Sequence, residues 1–282
     1  MSFRVLQRYV ELAPQDPNIY DSLGMAYQWA GRYPEAIQTF EKALSLNPQF
    51  EIALIHLGNT YVWQGRYREA MRQYQRFVQV ASFAGTRARG YESIALLHLK
   101  KGEFVEAEHT VKALLKVDKQ FVQPSLLLAL ERNDLASTER LMTILETNRA
   151  LDRGNRGYER GRSWLRGYLA LKSGRAPEAI ETFKQTLRHR PTVWYIDAFE
   201  DCLANAYLEL GRLDEAIAEY ERILKLNPYY PLIHYHLGQA FVRKGQLVQA
   251  RAFYQEFLEV WKEADSDMAE ILAAKKFLSQ AS

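Results

Sequence analysis

Six glycines set a period in this chain. Gly31, Gly65, Gly102, Gly174, Gly211 and Gly245 lie 34, 37, 72, 37 and 34 residues apart. The 72-residue gap is two periods with a few residues added, and each 37 is one period plus three. A fixed period of about 34 residues marks a stacked array, in which each unit buries its apolar face only against its neighbours.

The phrases that follow the glycines match one another. Gly31-Arg-Tyr-Pro-Glu-Ala36 returns as Gly65-Arg-Tyr-Arg-Glu-Ala70 and Gly102-Glu-Phe-Val-Glu-Ala107. Later come Gly174-Arg-Ala-Pro-Glu-Ala179, Gly211-Arg-Leu-Asp-Glu-Ala216 and Gly245-Gln-Leu-Val-Gln-Ala250. Glycine takes the left-handed conformation that ends a helix. Pro34 and Pro177 suit a first helical turn, where no N–H is needed. The glutamates favour the positive end of the next helix dipole, and the alanine allows close helix packing.

Each glycine therefore joins two amphipathic helices. In the first unit Tyr20, Leu23, Gly24 and Tyr27 precede it, and Ala36, Phe40, Ala43 and Pro48 follow. The second has Leu54, Leu57, Gly58, Tyr61, Ala70, Tyr74 and Phe77. Further on stand Leu203, Ala204, Tyr207, Ala216, Tyr220, Ile223 and Pro228, then Leu237, Gly238, Phe241, Ala250, Tyr254 and Phe257.

This order of aromatic, Leu, small residue, aromatic, Ala, aromatic and Pro resembles the tetratricopeptide-repeat (TPR) family. Six units carry it, at 17–50, 51–84, 88–121, 160–193, 197–230 and 231–264. The resemblance implies an all-α fold, a right-handed α-solenoid of helix-turn-helix units. Residues 85–87 and 194–196 are insertions, as lengthened loops or helix ends.

The expected organisation has five parts. Residues 1–16 form an orphan second helix, because Ser2, Leu6, Tyr9 and Pro14 fall on the positions of Ala36, Phe40, Ala43 and Pro48. It is either the remainder of a preceding repeat or an N-terminal cap. Residues 17–121 are a first triplet of units. Residues 122–159 are a degenerate repeat and Arg-rich connector, with Asn133-Asp134 in place of Gly-Arg after a shortened helix Ser125–Arg132. Asparagine is the second choice for a left-handed cap. Residues 160–264 are a second triplet. Residues 265–282 are a capping helix, with N-cap candidates in Asp265-Ser-Asp and an apolar face of Met268, Ile271, Leu272 and Leu278.

Composition narrows the function. Of 282 residues, 48% are hydrophobic, enough to offset the entropy of ordering. The single cysteine, Cys202, excludes a disulfide scaffold and a Cys-based zinc site. No apolar run approaches the ~18 residues of a membrane span, and the N-terminus has no apolar leader. The expected location is cytoplasmic. A net charge of +3 demands no nucleic-acid partner.

No phosphate loop, dinucleotide fingerprint, nucleophile elbow or His-Glu-x-x-His stands in the chain. His234 and His236, two apart, point in different directions on a helix, and Cys202 has no basic activator nearby in sequence. The expectation is a protein that is not an enzyme, with no metal and no cofactor.

Function then rests on surfaces. The resemblance implies that the first helix of each unit lines a concave groove, through places two, five, six, nine, twelve and thirteen. In the first triplet this gives Met25, Trp29, His56, Asn59, Trp63 and Arg89, beside Asn18, Asp21, Gln28, Ile55, Val62, Glu92, Leu96 and Lys100. In the second it gives Trp164, Tyr168, Asn205, Tyr235, His236, Gln239 and Arg243, beside Lys172, Asp201 and Glu209. Trp29 and Trp63 hold the same place one unit apart, either stacked along the groove or packed into the interface between units. Asn59 and Asn205 are able to hydrogen-bond a peptide backbone or are plain surface residues. The lysine of the family's carboxylate clamp is missing, and so is its asparagine ladder.

The run Arg149–Arg166 contains Arg149, Arg153, Arg156, Arg160, Arg162 and Arg166 against Asp152 and Glu159. Its first four arginines suit an acidic partner, or they pair with neighbouring repeats in a solvated linker. Nucleic acid is a third and weaker reading. Finally, Phe257-Leu-Glu-Val-Trp261-Lys-Glu-Ala-Asp265 is similar to the end of the TPR arrays that follow bacterial serine/threonine kinase domains and winged-helix regulators. The leading expectation is a non-catalytic scaffold for a protein or peptide ligand. The alternatives are a sensory module of a larger bacterial signalling protein and self-association through the N-terminal solenoid end.

Overall fold

A computed structural model describes residues 3–147, 156–188 and 199–280. Among the described residues every regular element is an α-helix. The chain divides into two compact units, Met1–Val62 with Arg66–Arg153, and Trp63–Gly65 with Gly154–Ser282. In the first lie α1 (Phe3–Leu12), α2 (Pro17–Trp29), α3 (Tyr33–Leu46), α4 (Glu51–Trp63), α5 (Tyr67–Val80), α6 (Ala84–Lys100), α7 (Phe104–Val117), α8 (Gln123–Glu131) and α9 (Leu135–Thr147). In the second lie α10 (Arg156–Lys172), α11 (Ala176–Arg188), α12 (Cys202–Glu209), α13 (Leu213–Leu226), α14 (Ile233–Arg243), α15 (Leu247–Val260) and α16 (Ala269–Gln280). Among the described residues no helix is long and apolar enough to cross a membrane.

One turn joins the two helices of each pair. The six periodic glycines all have φ between 71° and 75°, and Asn133 has φ 54°. After each, an N–H reaches back five residues to a carbonyl: Arg32 to Tyr27, Arg66 to Tyr61, Glu103 to His98, Asp134 to Ala129, Arg175 to Ala170, Arg212 to Tyr207 and Gln246 to Phe241, each at 2.9 Å. This is the bond of a Schellman cap, which satisfies carbonyls that the helix end leaves free.

The arginine of the repeated phrase adds a clasp that the sequence reading missed. The guanidinium of Arg32 lies 4.6 Å from the Tyr27 ring centre, Arg66 lies 4.5 Å from Tyr61, and Arg212 lies 4.7 Å from Tyr207. The same three arginines bond Glu35, Glu69 and Glu215 at 2.8, 3.0 and 3.0 Å. So the glutamate answers a side chain as well as a dipole. The spacing Tyr-x-x-x-x-Arg-x-x-Glu is the signal that could have shown it.

Within a pair, the second helix drives an aromatic ring into the first. A Cβ on Gly58 would lie 2.4 Å from the Tyr74 ring, and one on Gly167 would lie 2.6 Å from Phe183. Phe40, Phe183 and Tyr220 are completely or almost completely buried, as are Ala36, Ala70, Ala107, Ala179, Ala216 and Ala250. In the second unit these contacts join into one continuous core that runs from Ala170 on α10 to Ala240 on α14.

Several local expectations change. Residues 85–87 follow the helix-end alternative and extend the N-terminal end of α6. The shortened helix begins at Gln123, two residues early, with Pro124 in its first turn. α10 runs through Gly157 and Gly161 in spite of their poor helix propensity, because tertiary burial of Arg160 and Leu165 outweighs it. On α16 the buried side is Ile271 and Ala274, preceded by buried Met268, while Leu272 is exposed. Phe277 takes the expected apolar role, 5.0 Å from Tyr254. α1 packs on α2 through Phe3 and Tyr27, 5.1 Å apart, and leaves Val5, Tyr9 and Leu12 exposed. Residues 194–196 lie outside the described residues.

A Cβ at Gly102 would meet nothing within 4 Å, so a substitution there isolates the cost of the left-handed backbone. Gly102→Ala is expected to destabilise the first unit by about 1–2 kcal/mol. Gly102→Asn should cost less, as Asn133 already adopts this conformation. Urea denaturation checks the order; an alanine variant as stable as the parent would contradict it.

Candidate functional site

The first helices of the second unit's pairs are α10, α12 and α14. Residues four apart share a helix face. On α10 these are Trp164, Tyr168 and Lys172; on α12, Asn205 and Glu209, with the N-cap Asp201 before them; on α14, Tyr235, Gln239 and Arg243. Trp164 and Tyr168 stack at 5.4 Å with planes 6° apart, and the Lys172 ammonium lies 5.4 Å from the Tyr168 ring centre. Both aromatic residues are half-buried.

Between α12 and α14 lies a cavity of about 460 Å³. Asn205, His236, Gln239 and Arg243, all groove residues expected from the sequence, line it together with Leu208, Glu209, Val242 and Tyr254. Gln239 donates to the Tyr235 hydroxyl at 3.2 Å, and its carbonyl lies 3.2 Å from His236 Nδ1. Arg243 donates to the Leu208 carbonyl in the last turn of α12. His236 also stacks on Tyr220 at 5.7 Å. His234, two residues earlier, is buried, with Nε2 3.4 Å from Glu256, and burial holds its pKa below the ordinary histidine value. The two histidines do point apart.

The asparagines answer tyrosines of their own unit. Asn59 accepts from the Tyr74 hydroxyl at 2.7 Å and Asn205 from Tyr220 at 2.6 Å. The Asn205 amide also donates to Asp201 at 2.9 Å. A buried hydroxyl needs a partner, and Tyr74 and Tyr220 each find a carboxamide fifteen residues before them; Gln239, fifteen before Tyr254, bonds Tyr235 instead. Where the packing residue is Phe40, Val111 or Phe183, the residue fifteen before it is Met25, Leu96 or Tyr168.

In the first unit this removes Met25 from the groove. It is buried, since beside Phe40 an apolar side chain loses nothing by burial. His56 is tied to Asp21 at 2.9 Å and lies 5.8 Å from the Phe40 ring, and Gln28 donates to Thr60 at 3.0 Å, so polar contacts link α2 to α4. Asp201, Tyr220 and His236 repeat the spacing of Asp21, Phe40 and His56 at an offset of 180 residues. Trp29 and Trp63 are half-buried and Arg89 is exposed. Burial pushes the Glu92 carboxyl up to about 7, against the pull of Arg89.

In the arginine run, Arg160 follows the second of the expectations, pairing with a neighbouring repeat, and not the first. Arg160 is 1% exposed; it donates to the Thr186 carbonyl at 2.7 Å and pairs with Glu200 at 2.9 Å. Arg162 is buried and pairs with Glu159 at 2.8 Å. Their partners are within the fold, so Arg160 presents no charge to an acidic ligand. Arg156 stands in the first turn of α10; Arg149 and Arg153 lie outside the described residues. Cys202 is buried, and that burial raises its thiol pKa far above the ordinary value, so it stays protonated.

Comparison with known proteins comes from sequence and from structure. A family model described as TPR repeat matches residues 204–245, and two described as tetratricopeptide repeat match 30–79 and 234–263. No curated protein matches the chain in sequence. A tetratricopeptide repeat protein from Parabacteroides merdae superposes with a TM-score of 0.52 at 15% identity, over 93% of this chain and 97% of that one. Yeast Tom70 superposes with a TM-score of 0.51 at 14% identity, over 99% of this chain and 57% of that one. At these identities the likeness shows the fold alone, an all-α solenoid of helix pairs.

Two measurements test the groove faces. In a cycle on Asn59→Met and Tyr74→Phe, each single change should cost about 1 kcal/mol, and the pair should couple by a similar amount, because together they recreate the Met25–Phe40 arrangement. Strict additivity would rule out the pairing. Glu92, with a folded pKa of about 7 above its ordinary 4.5, binds more protons folded than unfolded between those values. Its ionisation therefore weakens the fold as pH rises. Glu92→Gln should be more stable than the parent at pH 8 and nearly equal to it at pH 5, as thermal melts at both pH values would record.

Proposed function

Because the chain is a tetratricopeptide-repeat protein, we propose that it is a protein-interaction scaffold that holds an extended peptide of a partner across α12 and α14. Repeats of this kind are typically non-catalytic interaction modules. The observation that carries the reading is the cavity of about 460 Å³ on the first-helix face of the second unit. Four groove residues, Asn205, His236, Gln239 and Arg243, converge on it. The stacked Trp164 and Tyr168 on α10 add a rigid aromatic surface on the corresponding face. Such side chains give large contact area at small entropic cost. The frame itself is common to unrelated functions, so the ligand is decided by these side chains and not by the fold.

A photoreactive phenylalanine at Val242, in the cavity wall, should cross-link a partner of defined mass in the source cells. The same residue at Glu221, exposed on the second helix α13, should not. Adducts at position 221 with none at 242 would place the interaction elsewhere and sink the groove reading.

A further inference from the structure

This inference rests on the groove reading and names the chemistry of its ligand. The polar groups that line the cavity are nearly all engaged. Asn205 has its carbonyl on Tyr220 and its amide on Asp201. Gln239 has its amide on Tyr235 and its carbonyl by His236. Arg243 lies on the Leu208 carbonyl, at the negative end of the α12 dipole, where a cation is stabilised.

The Tyr254 hydroxyl makes no hydrogen bond among the described residues, and of the charged lining residues Glu209 is the exception. It is the last residue of α12, it is exposed, and it makes no hydrogen bond or ion pair among the described residues. A carboxylate at a helix C-terminus faces charge of its own sign. The walls beside it are aliphatic and aromatic: Leu208, Val242 and Tyr254. An unpaired anion above apolar walls matches a cation carried on an aliphatic stem, which snorkels its head to the charge while its methylenes are buried.

We propose that this cavity takes a lysine or arginine side chain of the partner peptide, with Glu209 as its counter-charge. Arg243 is already matched by the helix end, so an acidic side chain finds less to gain here.

Selection of a random twelve-residue peptide library on the full chain tests this. The expected result is enrichment of sequences with a basic residue at one fixed place. Replacing that residue by norleucine in the selected synthetic peptide, or Glu209→Gln in the protein, should each weaken binding about tenfold. Glu209→Lys should restore binding to the peptide whose basic residue is changed to glutamate. The surface position of Glu209 keeps the fold out of the result, and a melting curve equal to the parent's checks it. Enriched peptides without a basic residue, binding unaffected by Glu209→Gln, or acidic peptides lost on Arg243→Gln would each overturn the assignment and leave the groove reading standing. No enrichment of any sequence would overturn both.

Discussion

The structure depends on a backbone that turns left-handed once per unit. At φ near 72° the chain leaves one helix and enters the next, and the N–H three residues past the helix end closes on a carbonyl five residues back. With that angle fixed, the second helix returns over the first. The aromatic ring of the second helix then meets a small residue, as Tyr74 does at Gly58 and Phe183 at Gly167. Packing within a pair follows from the turn; packing between pairs adds polar links such as Asp21–His56 and Gln28–Thr60.

These polar links explain why the groove faces differ between units. A tyrosine driven into the core brings a hydroxyl that must be satisfied, and Asn59 and Asn205 satisfy two of them. Residues that look free to bind ligand are partly committed to the frame. In the lining of the second unit's cavity, Glu209 is the carboxylate that this commitment leaves without a partner among the described residues.

Much of the fold was legible from the sequence because its determinants are local. A glycine, the phrase after it and the apolar spacing on either side lie within a few turns of chain, and they identified the turns, the helix pairs and even the asparagine that replaces glycine at 133. Site residues were read less well, because their environment is set at longer range. Arg160 looked like part of a surface charge cluster; its partners, Thr186 and Glu200, are 26 and 40 residues away. Met25 holds a groove position by number, yet burial closes it off. The pairing of carboxamide with tyrosine was available in the fifteen-residue spacing, and so was the Tyr–Arg–Glu clasp, but neither stands out until the helices are in place. The cavity arises only when α12 and α14 lie side by side.

The Tyr–Arg–Glu clasp has a kinetic consequence. Its contacts join residues only three and five apart, and so does the backbone bond it surrounds. Closing so short a loop costs little entropy, and contacts of low sequence separation form quickly. Each of the three hairpins with the clasp thus holds its own starting point for folding. Order is able to begin at Arg32, Arg66 or Arg212 and spread to neighbours, as in a one-dimensional chain of coupled segments. A lesion in one pair then slows the zipper locally without erasing the other points of entry.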